Sequence, residues 1–201
     1  MNEKSAMIKD ALILFAITVV AGLLLGVVYD VTKEPIAQQK AKAKQEACAN
    51  VFAEAKTFET VTDLDGVAVS DNIDGVDIDE VMRALDGDET LGYVITVTDH
   101  EGYGGDIQFS MGVTLDGTLN GISLLSISET AGLGMKAGDV LVPQFENKKV
   151  EQFTYTKSGA TNDSEIDAIS GATITTNAVV NGVNAGLTYF RDVLLVSDSI
   201  G

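Results

Sequence analysis

The tetrapeptide Ser-Gly-Ala-Thr occurs twice near the C-terminus of this 201-residue chain, at Ser158–Thr161 and at Ser170–Thr173. Clusters of hydroxyl-bearing residues and glycine are typical of turns, because they offer the backbone alternatives to regular pairing. The same residue types can bind a phosphate group, since hydroxyls donate hydrogen bonds and glycine lets a ligand approach the backbone closely. Each copy is therefore a candidate for an ordinary turn or for a phosphate site.

The segment after the second copy predicts a helix that begins at about Ile174. Its apolar residues recur every three or four positions, which is typical of a helix with one packed face; they are Val179, Val180, Val183, Leu187, Phe190 and Leu194. The free N–H groups and the positive dipole end of such a helix favour an anion. Further donors are the hydroxyls of Ser170, Thr173, Thr175 and Thr176. The same hydroxyls suit ordinary N-capping, and no periodic segment follows the first copy, which predicts a loop there.

Residues 91–201 are predicted to form an antiparallel sheet domain closed by this helix, an α+β fold. The stretch LGYVITVTD at 91–99 alternates with a period of two, and the Asp-Gly of LDGTLNG at 115–121 predicts a hairpin between two further strands. A glycine-punctuated loop with a short helical piece is expected next, followed by a strand at EQFTYTK, residues 151–157.

Residues 59–90 are rich in Asp and Gly and are predicted to form an acidic linker or subdomain. We expect a solvated loop with a short helix around Ile78–Leu85. A specific calcium site is not expected, because the residues lack the ligand spacing of an EF-hand loop.

The N-terminal region predicts a membrane anchor. After a short segment at 1–10, residues 11–29 contain no charged side chain and reach roughly the 30 Å of a bilayer core as a helix. A cleavable signal peptide is disfavoured, because this run is longer than a signal core and no small-residue cleavage site follows it. Residues 30–58 are rich in Ala, Gln, Lys and Glu and predict a helical stalk, in which Pro35 marks a kink or a new start.

The lysines around this anchor leave its orientation open. Lys4 and Lys9 precede it and four lysines follow it, which taken alone favours a cytoplasmic C-terminal side. Large domains, however, translocate largely regardless of charge.

The charge and the rare residue types exclude several functions. The chain has a formal net charge of −17, and residues 46–201 alone carry 7 Lys and Arg against 26 Asp and Glu, or −19. Such a domain repels nucleic acid. With one cysteine, Cys48, and one histidine, His100, this chain supplies no internal disulfide, no cysteine-ligated metal cluster and no triad built from these residues.

Three motifs resemble those of a known flavoprotein family. DAISGAT at 167–173 resembles the motif Asp-x-x-(Ser/Thr)-Gly-Ala-Thr, on whose threonine FMN is attached through a phosphoester bond. SETAGLG at 128–134 resembles a second signature of that domain, with Ala131 in place of the usual proline, and GYGGDIQF at 102–109 resembles its Gly-Tyr-Gly-Gly stretch. The motif order, the length and the single anchor resemble the G subunits of Rnf complexes, which share this domain with the C subunit of the sodium-pumping NADH:quinone oxidoreductase.

The resemblance implies site residues. Thr173 would carry covalent FMN, Asp167 would be the acid that a flavin transferase recognises, and Ser170, Gly171 and Ala172 would form the presenting turn. Further cofactor-binding candidates are Thr176, Glu129, Thr130, Leu133, Gly134 and, by position only, Lys157. The first copy has Tyr155 where the motif requires an acid, so Thr161 is not expected to be modified. No catalytic or metal-ligating residue is expected.

The resemblance also implies a role. The chain would be a single-pass subunit of the cell membrane, with its soluble domain on the extracytoplasmic side, and would relay electrons through its flavin beside other Rnf subunits. It would not catalyse alone; the complex moves electrons between ferredoxin and NAD and translocates ions. The alternatives are a subunit of the related quinone reductase, an extracellular electron-transfer protein, or a flavin-free scaffold module.

Overall fold

The structure is a computed structural model and describes residues 3–62 and 71–198. The chain divides into two compact units, Met1–Ala43 and Lys44–Gly201. The helices and strands, in chain order, are α1 (Glu3–Val51), β1 (Thr57–Thr60), β2 (Asp71–Ile73), β3 (Val76–Asp86), β4 (Glu89–Asp99), β5 (Ile107–Thr114), β6 (Leu119–Ser126), α2 (Ala137–Val140), β7 (Thr154–Thr156), β8 (Glu165–Asp167), α3 (Thr173–Tyr189) and α4 (Leu195–Asp198). Short 3₁₀ turns flank α2, and a π-helical turn, Phe190–Leu194, joins α3 to α4.

The described part of the first unit consists of residues 3–43 of α1, which include its apolar segment. Within the described residues, this is the one helix long and apolar enough to cross a membrane, with a mean hydropathy of 2.9 over its most apolar window. The predicted span, residues 11–29, lies inside it, and the helix continues through Pro35, which neither ends nor restarts it.

The second unit contains a six-stranded sheet with the order β1-β3-β4-β5-β6, in which β2 also pairs with β3. Strands β4, β5 and β6 are antiparallel neighbours, as the alternating sequence predicts. The hairpin at Asp116–Gly117 is confirmed, because β5 ends at Thr114 and β6 begins at Leu119. The Asp116 carboxylate accepts hydrogen bonds from Thr114, Thr118 and Lys149, which hold its pKa well below the usual range.

The helix expected around Ile78–Leu85 is wrong, because these residues belong to strand β3, which pairs with β4 along its length. The solvated loop expected around it is also wrong for residues 71–90, which contain β2, β3 and the start of β4, and residues 63–70 lie outside the described residues. The register shifts between Ile78 and Glu80, so that Asp79 is an extra residue in the strand. Ile78 and Val81 therefore both face the core although they are three positions apart. This β-bulge produced a helix-like spacing in a strand.

Helix α3 covers one face of the sheet and closes the main core. All six apolar residues predicted to form the packed face, four in α3 and two in the π-helical turn that follows it, are at most 5% exposed. They belong to one cluster with core residues of β4 and β5 such as Ile95, Val97 and Phe109. Burying a side chain of this size contributes about 1.5–3 kcal/mol, so this face anchors the N-terminus of α3 relative to the sheet. The α+β fold with a closing C-terminal helix is confirmed.

The end of α1, residues 44–51, belongs to the second unit and covers part of the sheet's other face. Cys48, Val51 and Phe52 pack there against Ala84 and Val94. The Cys48 side chain is 2% exposed, and this burial raises the pKa of its thiol. Cys48 is therefore a small core residue in an environment that disfavours the reactive thiolate.

Candidate functional site

A cavity of about 450 Å³ lies at the N-terminus of α3. Three segments line it: Tyr103 from the glycine-rich connection between β4 and β5, four residues of the loop after β6, and residues 171–175. The four loop residues are Glu129, Thr130, Leu133 and Gly134. The structure thus brings the three sequence motifs together around one cavity.

Helix α3 begins without a side-chain cap. Ala172 is its N-cap residue, and no described side chain makes a capping hydrogen bond there. The Ala172 carbonyl accepts the Thr176 N–H at 3.0 Å, which is the first bond of the helix ladder. The N–H groups in the first turn of α3, which begins at Thr173, have no partner within the helix ladder. Such groups bind water or an anion. Thr173, half-buried, lies at the first position of this turn and lines the cavity.

Thr176 shapes the turn and does not line the cavity. Its side chain is fully buried, and its Oγ1 accepts the Ile169 N–H at 3.1 Å while donating to the Ala172 carbonyl at 3.0 Å. One hydroxyl therefore fastens both sides of the Ser170–Thr173 turn to the helix. Gly171, at the centre of this turn, has a φ of +78°, a conformation that a residue with a Cβ rarely adopts.

The Glu129–Gly134 loop lies between the glycine-rich connection and α3 and contacts both. Glu129 Oε1 accepts the Gly104 N–H at 3.1 Å, which links the loop to the segment that carries Tyr103. A Cβ at Gly134 would lie 2.5 Å from Thr175 Oγ1 and 2.7 Å from the Glu129 Cβ. Only glycine fits at position 134, so this residue sets how closely the loop approaches the helix.

Besides Thr176, three of the predicted site residues lie outside the cavity lining. Asp167 is exposed at the end of β8, where its N–H donates to Gln144 Oε1 at 2.7 Å. Ser170 is exposed immediately before Gly171, and Lys157 is exposed after β7. The predicted contact of Lys157 with a cofactor stays a prediction.

Two lining residues were not predicted for the site, Tyr103 and Ile174, and a third, Thr175, was predicted only as a hydroxyl donor at the helix start. Tyr103 stands inside a motif that the sequence singled out, and it is 69% exposed, an unusual position for an aromatic side chain. Ile174 is 51% exposed and lies off the buried face of α3. Its place could have been predicted, because an apolar residue outside the packed face of a helix is a candidate for binding a ligand.

The lining combines apolar surface with hydrogen-bond donors, which suits a partly apolar ligand with an anionic end. Tyr103, Leu133 and Ile174 supply apolar surface, while the helix N-terminus and the hydroxyls of Thr173 and Thr175 supply donors. Glu129 is the one titratable carboxylate in the lining, which contains no histidine, cysteine or lysine. With so few acid–base groups, redox or group-transfer chemistry at this site has to come from the ligand.

Comparison with known proteins agrees with these features. A family model described as "FMN-binding domain" matches residues 102–188, and one described as "RnfG N-terminal region" matches residues 1–51. The chain also resembles the solved structure of NqrC from Shewanella oneidensis with a TM-score of 0.55 and 16% identity, over 74% of this chain and 87% of that chain. This similarity confirms the fold of the domain.

Relatives match over nearly the whole chain. The G subunit of the Na⁺-translocating ferredoxin:NAD⁺ oxidoreductase complex of Acetobacterium woodii is 32% identical over 92% of each chain. The corresponding protein of the proton-translocating complex of Clostridium ljungdahlii is 31% identical over 87% of this chain and 90% of that one. The G subunit of the ion-translocating oxidoreductase complex of Methanosarcina acetivorans is 30% identical over 94% and 97%. The chain therefore belongs to the RnfG family, the G subunits of the ion-translocating ferredoxin:NAD⁺ oxidoreductase (Rnf) complexes.

Proposed function

We propose that this chain is the membrane-anchored electron-carrier subunit of such a complex and that it carries FMN in a phosphoester bond to Thr173. The observation that carries the proposal is the position of Thr173, at the uncapped start of α3 and in the wall of the cavity. A hydroxyl at this position can hold an esterified phosphate against free N–H groups and the positive end of the helix dipole.

The cavity suits this cofactor in size and chemistry. Its volume of about 450 Å³ lies in the usual range for small-molecule sites. The apolar surfaces of Leu133 and Ile174 suit an aromatic ring system, and the exposed Tyr103 leaves one side of the cavity open to a partner protein. Bound FMN would supply the electron-transfer chemistry, and the residues of this chain bind it and orient it. The subunit would not catalyse a reaction alone.

Asp167 supports enzymatic attachment of the cofactor. It is exposed and lies six residues before Thr173, so a modifying enzyme can reach it without unfolding the core. We propose that a flavin transferase recognises this carboxylate and modifies the second Ser-Gly-Ala-Thr copy.

The helix α1 anchors the domain in the cell membrane, beside the other subunits of the complex. We propose that the soluble domain lies on the extracytoplasmic side. A covalent bond retains a cofactor where a free one would be lost, which favours this side over the one that the lysine count alone indicates.

The attachment can be tested by expressing the full chain with a flavin transferase and measuring intact mass and in-gel fluorescence after denaturation. We expect one FMN on the wild-type chain and none on Thr173→Ala. The matched control, Thr161→Ala in the first copy, should still reach one FMN per chain. Flavin that remains covalently bound to Thr173→Ala would refute the proposed linkage.

A further inference from the structure

The first Ser-Gly-Ala-Thr copy lies in the eight-residue connection between β7 and β8, two strands that pair in parallel. Parallel neighbours usually require a connection of a dozen or more residues, so this loop is unusually short and must turn back sharply. Alternate side chains of a strand point to the same face, so Glu165 and Asp167 of β8 can both reach the loop.

Two carboxylates of β8 bind the first copy. Asp167 Oδ1 accepts the Ala160 N–H at 2.6 Å. Glu165 Oε2 accepts both the N–H of Thr161 at 2.8 Å and its hydroxyl at 2.9 Å. Hydrogen bonds to ionised carboxylates are stronger than those between neutral groups. The bonds from Thr161 also hold the pKa of Glu165 below its usual value.

The backbone of Asp167 is held from the other side. Its N–H donates to Gln144 Oε1 at 2.7 Å, and its carbonyl accepts from Gln144 Nε2 at 3.1 Å. The same Nε2 is 2.6 Å from the Val140 carbonyl, which ties Gln144 to α2. The main chain and one carboxylate oxygen of Asp167 are thus fixed, while Oδ2 takes part in none of the hydrogen bonds among the described residues.

From this geometry we propose that the Ser158–Thr161 loop is a positioning element for cofactor attachment. It holds the Asp167 carboxylate in one orientation, with Oδ2 presented to a cationic or hydrogen-bond-donating group of the flavin transferase. The inference rests on the proposed function, and it gives the first copy a role although that copy carries no cofactor. Glu165 and Thr161 are positioning residues in this scheme, since they act through Asp167.

The chemical step that this loop serves is a transfer of FMN from a flavin dinucleotide. The Thr173 oxygen forms a bond to the phosphorus next to the flavin side, and the pyrophosphate bond breaks. The nucleoside monophosphate leaves, and the hydroxyl proton passes to a base of the transferase or to water. No electrons are gained or lost, so no oxidant or reductant is needed.

If the loop no longer holds Asp167, its carboxylate is free to rotate, and the transferase has to order this side chain when it binds. The cost of ordering one such side chain corresponds to a rate loss on the order of 3- to 10-fold. Glu165→Ala should therefore slow flavin incorporation by this factor without lowering the final content of one FMN. Because the loop acts in docking, the effect should appear in KM for the protein substrate more than in kcat.

The experiment uses the apo full chain in detergent, a purified flavin transferase and a flavin dinucleotide. Initial rates are compared for wild type, Glu165→Ala, Thr161→Val and Thr161→Ser, with Glu151→Ala as the control that removes an exposed carboxylate outside the loop. Hydrogen exchange of the Ala160 and Thr161 amides reports loop order, and thermal unfolding of the apo chain reports stability. Should Glu165→Ala unfold, Thr161→Val provides the same test, because it keeps the backbone hydrogen bond.

We expect Glu165→Ala and Thr161→Val to raise both amide exchange and KM, with Thr161→Ser and Glu151→Ala close to wild type. Faster exchange together with an unchanged rate would overturn the inference, and so would a slow Glu151→Ala. A wild-type chain that takes up no flavin would instead refute the proposed function, so the two failures are distinguishable.

Discussion

The two Ser-Gly-Ala-Thr copies have the same four residues and different surroundings. Ser170–Thr173 leads directly into a 17-residue helix, and the buried hydroxyl of Thr176 in that helix holds its turn by hydrogen bonds. Ser158–Thr161 leads into a three-residue strand, is exposed throughout and is held from outside by the carboxylates of Glu165 and Asp167. Under our proposal, the helix and the preceding acid, rather than the tetrapeptide, make Thr173 the modification site.

The strongest way to break this comparison is to give the first copy its missing acid. In Tyr155→Asp/Thr173→Ala the first copy has the full Asp-x-x-Ser-Gly-Ala-Thr pattern, and we still expect no covalent flavin by intact mass. The physical reason is that no helix N-terminus follows Thr161 to hold the phosphate.

Tyr155→Asp alone is the control for this experiment, since Tyr155 packs against the core and its replacement can disturb the fold. Retention of FMN on Thr173 in that single variant would show that the domain remains intact. Flavin on Thr161 of the double variant would mean that the acid alone selects the copy.

A smaller effect is expected on the free energy of unfolding when the hydroxyl that supports each copy, Thr176 for the second and Thr161 for the first, is removed. Thr176→Val leaves the buried Ile169 N–H without its partner, while the Ala172 carbonyl keeps the Thr176 N–H; the unpaired N–H costs about 1–3 kcal/mol in the free energy of unfolding. Thr161→Val on the exposed loop should change it by about 0.5 kcal/mol or less. Denaturant unfolding of the purified chain measures both, and equal losses would show that the two turns are supported alike.

The sequence predicted the helix that follows the second copy, but it did not predict strand β3 of the sheet. The packed face of α3 was readable because apolar residues such as Val179, Val183 and Leu187 follow the helical period. Strand β3 was not, because the bulge at Asp79 puts two core-facing residues three positions apart. Local periodicity cannot distinguish such a bulged strand from a short helix.

Within the site, residue types were easier to predict than directions. The motifs identified the loop of Glu129 and Leu133 and the turn of Thr173 as neighbours. They did not reveal that Thr175 lines the cavity whereas Thr176 is buried beneath the turn. Two adjacent helical residues point about 100° apart, so the choice depends on how α3 is rotated against the sheet, which distant core contacts decide.

The smallest expected difference between the copies is their response to acid. The pKa of Glu165 is lowered from its usual 4.5 by its bonds to Thr161, so these bonds stabilise the loop fully above pH 4.5 and are lost as the pH falls through the lowered pKa. Protection of the Thr161 amide from hydrogen exchange, corrected for the intrinsic rate, should therefore decrease as the pH is lowered below 4.5. The Ile169 amide, bonded to the neutral Thr176 hydroxyl, is the internal control and should not follow. Parallel loss at both amides would contradict this prediction.

The most direct test of the central claim is to locate the flavin on the chain of the native complex. Asp163, Glu165 and Asp167 lie between the two threonines, so a protease that cuts at acidic residues separates the copies into different peptides. Our account predicts the FMN mass on the peptide that contains Thr173 and an unmodified peptide that contains Thr161. FMN on the Thr161 peptide, or on neither, would contradict it.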